Sequence, residues 1–175
     1  MGDSLITIVA IFLAAILMFV FPLSAISEMN DQETLAVVQS HTTDFVNKIR
    51  SEGKITQEGY DAFIQQLYAT GNSYDVQFEL QIADENPGKK TENQLMGDTT
   101  YYSIYTAQLT NDDGSGVLDT NKVYNLKEGD HVSIAVKNTN TTISQMIKNV
   151  LYSVTGDASY VISAQASGAV VSNGY

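Results

Sequence analysis

Two histidines, His41 and His131, are the side chains best suited to proton transfer near neutral pH, and they stand 90 positions apart. Neither has a nucleophile at readable spacing, so each reads as a surface or packing histidine. The chain contains no HExxH, GxSxG, Walker loop or GxGxxG. It has no cysteine, which excludes disulfide staples, thiol catalysis and cysteine-based metal sites. The richest oxygen cluster is the turn Asn111-Asp112-Asp113, with Asp119 and Asp130 following. Such turns can hold calcium, and Asp112, Asp113 and Asp119 are the carboxylates that would take it. The EF-hand register fails, however, because Leu109 falls at the first ligand position and Thr120 at the bidentate one. Asp and Gly also accept left-handed turn geometry, so an ordinary turn is the simpler reading. Asn140-Thr141-Thr142 fits a glycosylation sequon, relevant only where the modifying enzyme is present. Catalysis has no support, and neither an enzyme nor a cofactor is expected.

Charge narrows the partners. Twenty Asp and Glu face nine Lys and Arg, a net charge of −11. No basic patch is available to neutralise phosphates, which argues against nucleic acid. The same deficit argues against docking flat on an anionic membrane surface. An acidic, self-repelling, soluble surface is the plain meaning.

The strongest pattern is at the amino terminus. Leu5 to Leu23 reads LITIVAIFLAAILMFVFPL, without a charge and with Thr7 as its one hydroxyl. As a helix it spans just under ~30 Å, about one hydrocarbon core. Three readings compete. A cleaved signal peptide would exit at Ser24-Ala25, but no Lys or Arg precedes Lys48 to form a basic leader region. A membrane anchor would carry an outer domain. A filament-core helix would leave the bilayer and pack among copies of itself. All three route the chain to the membrane. The positive-inside rule has nothing to count here, and the head is expected outside because so little chain precedes the span.

Beyond Pro22 the helical pattern resumes. Leu35, Val38, Thr42, Phe45, Val46 and Ile49 form one stripe, Glu28, Asp31, Glu33, Gln39 and Asp44 fall elsewhere, and Gly53 supplies a stop. Pro22 removes one hydrogen bond and is expected to kink or loosen the rod. Three segments follow: 1–23 apolar, 24–53 amphipathic and 54–175 a globular head. In the head, Thr56 caps a second helix with Tyr60, Phe63, Ile64 and Leu67 on one face. Tyr74 to Ile82 alternates strictly, as a half-buried strand does. Asp84 to Thr99 reads as a long polar loop. Strands are expected over Tyr101–Thr110, Val123–Leu126, Val132–Val136 and Tyr160–Ala166. A third helix after Asn140 or Thr141 carries Ile143, Met146, Ile147, Val150 and Leu151 at 3–4 spacing. The predicted class is α+β: a long amino-terminal helix on a small head with a mainly antiparallel sheet of four or five strands and two further helices.

This layout resembles the type IV pilins and their pseudopilin relatives: an uncleaved apolar helix, a proline where it turns amphipathic, then a small α+β head. The run VNKIRSEGKITQEGYDAFIQQLYATGNSYDVQFEL also resembles small pilin-like proteins encoded with tight-adherence or conjugation machinery. In the pilin family the apolar half-helix packs at the centre of a filament after leaving the membrane. There a carboxylate near its start serves assembly, and a helix-breaking proline marks a stretch that can unfold during extraction. Asp3 and Pro22 are the matching positions. The family's glutamate lies further into the apolar run, where this chain has Leu5 and Ile6. The family's basic leader ends in glycine, and here Met1-Gly2 precede Asp3. The resemblance implies a structural subunit, inserted in the cytoplasmic membrane with its head outside and then part of a cell-surface filament. Its partners are copies of itself, and Leu5, Ile8, Phe12, Ile16 and Phe19 are among the residues expected to pack in the filament. The alternative is a single-pass membrane-anchored protein whose head binds a partner outside the cell.

Overall fold

The computed structural model describes residues 2–83, 101–111, 114–152 and 162–175, with the side chains of Asp3, Lys148 and residues 150–152 excepted. The loop expected over 84–99 lies outside these residues. One helix, α1 (Gly2–Glu52), runs unbroken through Pro22. Its 51 residues make a rod of about 76 Å. Pro22 has no N–H, so the Met18 carbonyl has no helical donor four residues on. The rod ends where the sequence asks for a stop: Gly53 takes φ +66°, and its N–H donates to the Ile49 carbonyl at 2.8 Å.

The second half of α1 is the central beam of the head. Val38, Thr42, Phe45, Val46 and Ile49 are buried along one stripe, with Leu35 half-buried beside them. The stripe rests on a four-stranded antiparallel sheet of order β3-β2-β5-β6, formed by β2 (Tyr74–Ala83), β3 (Tyr101–Tyr105), β5 (His131–Asn138) and β6 (Ser163–Ala169). Alternation decides the faces. Tyr74, Val76, Phe78, Leu80 and Ile82 of β2, with Val132, Ile134 and Val136 of β5, are buried. The opposite face is polar and wet.

Helix α2 (Gln57–Tyr68) covers the rest of the core. The Thr56 hydroxyl caps it, accepting from the Gly59 N–H at 3.1 Å. Phe63 of α2 stacks on Phe45 of α1 with ring centroids 4.5 Å apart, and Phe78 meets Phe45 edge-on at 6.2 Å. Such pairs add ~0.5–1.5 kcal/mol beyond the area they bury.

Three short elements are additions to the expected layout. Lys54–Thr56 forms β1 and pairs antiparallel with β4 (Val123–Asn125) as a second, two-stranded sheet. The strand expected over Tyr101–Thr110 stops at Tyr105 and turns into α3 (Thr106–Leu109). The Thr106 hydroxyl accepts the Phe78 N–H at 2.6 Å, and the Gln108 side chain accepts the Tyr105 N–H at 3.0 Å. Side chains thus take the donors a longer strand would have used. A single turn, α4 (Val117–Asn121), precedes β4, and α5 (Ile143–Tyr152) joins β5 to β6. The head therefore has six strands in two antiparallel sheets among the described residues, in an α+β arrangement.

The carboxyl-terminal segment closes over the end of α1. Val171 N–H donates to the Arg50 carbonyl at 3.0 Å, Leu126 N–H to Gly53 at 2.7 Å, and Gly174 N–H to Leu126 at 3.1 Å. A Cβ at Gly53 would run into the Ser172 carbonyl and the Gly174 amide. Gly53→Ala is therefore expected to lose at least the ~1–2 kcal/mol of left-handed backbone strain, with further loss from displacing this segment. Thermal unfolding of the full chain in detergent checks it, and an unchanged midpoint would refute the packing argument.

Tyr124, opposite Ile55 in the small sheet, has its phenol pKa pushed up to about 12, first by burial and then by the negative charge of Tyr102, Asp130 and Tyr175. The folded chain holds this proton more tightly than the unfolded one, whose phenols titrate near ~10. Its contribution to stability is thus whole below about pH 10 and is lost as pH rises toward about 12. Tyr124→Phe should flatten that part of the stability–pH curve, read by denaturant unfolding between those values.

Candidate functional site

Among the described residues, nothing buries the first half of α1. Leu5, Ile8, Phe12, Ile16 and Phe19, the residues expected to pack in an assembly, are 66, 59, 69, 49 and 71% exposed. Leu13, Leu17, Met18 and Phe21, at other angles around the helix, are exposed as well. With a mean hydropathy of 2.9 over its apolar window, the helix is long and apolar enough to cross a membrane. An apolar surface this large, bare on all sides, is covered in nature by lipid or by protein. Pro22 lies within this helix. The side chain of Asp3 lies outside the described part of the molecule.

Where the bare half meets the head, polar groups make the joint. Asp31 was expected off the apolar stripe, yet it is 4% exposed and continues that stripe. Its Oδ2 accepts the Thr142 hydroxyl at 2.8 Å. Thr142 is the N-cap of α5: its Oγ1 accepts the Gln145 N–H at 3.3 Å, and Gln145 Oε1 accepts the Thr142 N–H at 3.0 Å. This reciprocal cap leaves the hydroxyl proton for Asp31. The carboxylate also lies at the positive end of the α5 dipole, where negative charge is favoured.

Two further side chains fasten α1 to the outer edge of β6. The Gln39 amide behaves as a strand would. Its Nε2 donates to the Gln165 carbonyl at 3.0 Å, and its Oε1 accepts the Gln165 N–H at 3.3 Å. Three turns along the helix, Arg50 Nε donates to the Ala169 carbonyl at 2.8 Å. Ala164, Ala166 and Gly168 line this side of β6, and their small size lets the helix come close. At Gly168 a Cβ would lie 2.6–2.8 Å from the Arg50 side chain. An open sheet edge is thereby occupied from within the molecule.

The other candidate chemistry resolves into structure. Asp112 and Asp113 lie outside the described residues. Asp119 Oδ2 accepts the N–H groups of Asn111 at 2.9 Å and Gly116 at 3.2 Å, organising the turn before α4. Asp130 is buried, and its two oxygens accept the N–H groups of Ala83 and Lys127. Among the described residues no three His, Asp or Glu side chains gather as a metal site. His131 is exposed against the edge of the Tyr101 ring, and His41 lines a shallow groove between α1 and α2 with Glu33 and Gln66. At the sequon, Asn140 bonds Asn72 and the Ser73 N–H, while the Thr142 hydroxyl is buried on Asp31. Both groups a glycosylating enzyme must reach are engaged. The remaining grooves are open; the one between Tyr60, Tyr68, Tyr74 and Asp75 is about 450 Å³.

No protein-family model, curated protein or solved structure matches this chain.

The joint yields a test. Asp31→Ala strands the buried Thr142 hydroxyl and should cost about 1–3 kcal/mol, whereas Asp31→Asn keeps an acceptor and should cost less. Adding Thr142→Val to Asp31→Ala should cost less than the sum of the two single changes. Denaturant unfolding of the four variants and the parent chain in detergent measures both.

Proposed function

We propose that this protein is a structural subunit of a pilin-like filament, inserted in the cytoplasmic membrane before assembly and carrying its head on the filament's outer surface. The observation that carries the reading is the division of labour along α1. One half is the core beam of a folded head, and the other is apolar and, among the described residues, exposed on every side. A long apolar amino-terminal helix running into a small antiparallel-sheet head is compatible with a pilin-like fold. Among the described residues the head gathers no metal-binding cluster, and the chain's acidity argues against nucleic acid. Burying the bare half among copies of itself would contribute ~25 cal/mol per Å² of apolar surface removed from water. Pro22, with the open Met18 carbonyl beside it, marks the turn most easily loosened as the helix leaves lipid.

The test is assembly by the full chain. On removal of detergent it should form uniform filaments visible by negative-stain electron microscopy. Phe12→Ala with Phe19→Ala keeps the helix apolar enough to insert, but should raise the concentration needed for filaments by about tenfold or more. Wild-type protein that yields monomers in detergent and no filaments without it would instead make α1 a plain anchor for an outer binding domain.

A further inference from the structure

Part of the apolar face of α5 is turned outward. Its sequence places Ile143, Met146 and Ile147 on one apolar face, yet only Ile147 is half-buried, while Ile143 and Met146 are 57 and 50% exposed. Among its described side chains the buried ones are Ser144 and Gln145, at 1 and 9% exposure. The Ser144 hydroxyl has no hydrogen-bond partner among the described residues, which is costly for a buried donor. The cause of the orientation is the joint with α1. Asp31, Thr142 and Gln145 hold the start of α5 with its polar side inward. Ile143 and Met146 are left outward, largely uncovered by the described residues of this copy.

We propose that Ile143 and Met146 form a docking surface for the apolar half of α1 from a second copy. The inference rests on the filament reading above and names a contact within it.

Height along the rod selects protein over lipid. Asp31 is eight residues past Leu23, so the bond to Thr142 places the start of α5 about 12 Å beyond the apolar run. Headgroups extend only ~5–8 Å beyond the hydrocarbon core on each side. With α1 upright, a bilayer covering Leu5–Leu23 stops short of Ile143. Charge points the same way. The chain carries −11, whereas a surface that lies on anionic lipid needs clustered cations. An apolar helix bare on every side also needs more than one neighbouring face. A copy shifted along the rod by a few turns brings its Leu5–Leu23 segment level with α5 of the next. Residues without charge then meet residues without charge.

The absence of cysteine makes the experiment clean. Full chains carrying Met146→Cys are mixed with chains carrying a single cysteine at Ile8, Phe12, Ile16 or Phe19, assembled, and oxidised. The expected result is a disulfide-linked heterodimer for at least one α1 position, several-fold above an Asp44→Cys control and absent from detergent-dispersed monomers. Ile143→Asp with Met146→Asp should raise the concentration needed for assembly by about tenfold or more while leaving the melting temperature of the monomer in detergent unchanged. Filaments in which Phe12→Cys chains cross-link to one another, but Met146→Cys links only to itself or no better than the control, overturn the docking surface and leave the filament intact. Failure of both filaments and cross-links between α1 helices overturns the filament reading, and this contact with it.

Discussion

The seating of one helix across one sheet face is the constraint from which the head follows. Val38, Thr42, Phe45, Val46 and Ile49 are the residues on which α2, β2, β5 and β6 converge. Phe45 alone meets Phe63 and Phe78. Around that apolar contact the polar fastenings are specific. Gln39 and Arg50 hold β6, Asp31 holds α5, and the carboxyl-terminal segment holds the helix end at the Arg50 carbonyl. Apolar burial supplies most of the energy, while these bonds set the angle and height at which the rod crosses the sheet.

That seating leaves the two halves of α1 with opposite requirements. The second half is satisfied within the chain. The first half is left exposed by all the described residues. A helix with both characters in one unbroken run links head position to whatever surrounds the apolar half, since a continuous α-helix transmits position without a hinge of its own. Pro22 is the place in that run where a backbone bond is already missing.

The sequence revealed those parts of the molecule that local periodicity determines. The Leu35–Ile49 stripe, the Thr56 cap and the strict alternation of β2 each read correctly, because each is decided by neighbours within a few residues. Elements held by distant partners were not legible. Lys54–Thr56 is a strand only because Val123–Asn125 lies beside it. Tyr101–Tyr105 ends early because Thr106 reaches Phe78. The same limit applied at the candidate site. The bare apolar half was evident from composition, but Asp31 looked like an outward polar residue until Thr142, 111 positions away, proved to be its partner. The outward turn of Ile143 and Met146 follows from the fastening of Asp31, Thr142 and Gln145, and 3–4 spacing could not foretell it. Gln39 pairing with Gln165 is likewise a feature of three dimensions.

The fastening of α1 to β6 has a mechanical meaning. Gln39 and Arg50 grip β6 at Gln165 and Ala169, and Asp31 grips the start of α5. These points are spread along several turns of a rod that leaves the head at one end. Tension applied through the apolar half enters the head along the helix axis. It loads the three attachments together, in shear, instead of peeling one strand bond at a time. The small side chains Ala164, Ala166 and Gly168, which look like a weakness in a strand, bring helix and strand close enough for this grip. A bulkier residue at Gly168 would lift Arg50 from its carbonyl and turn a shared load into a sequential one.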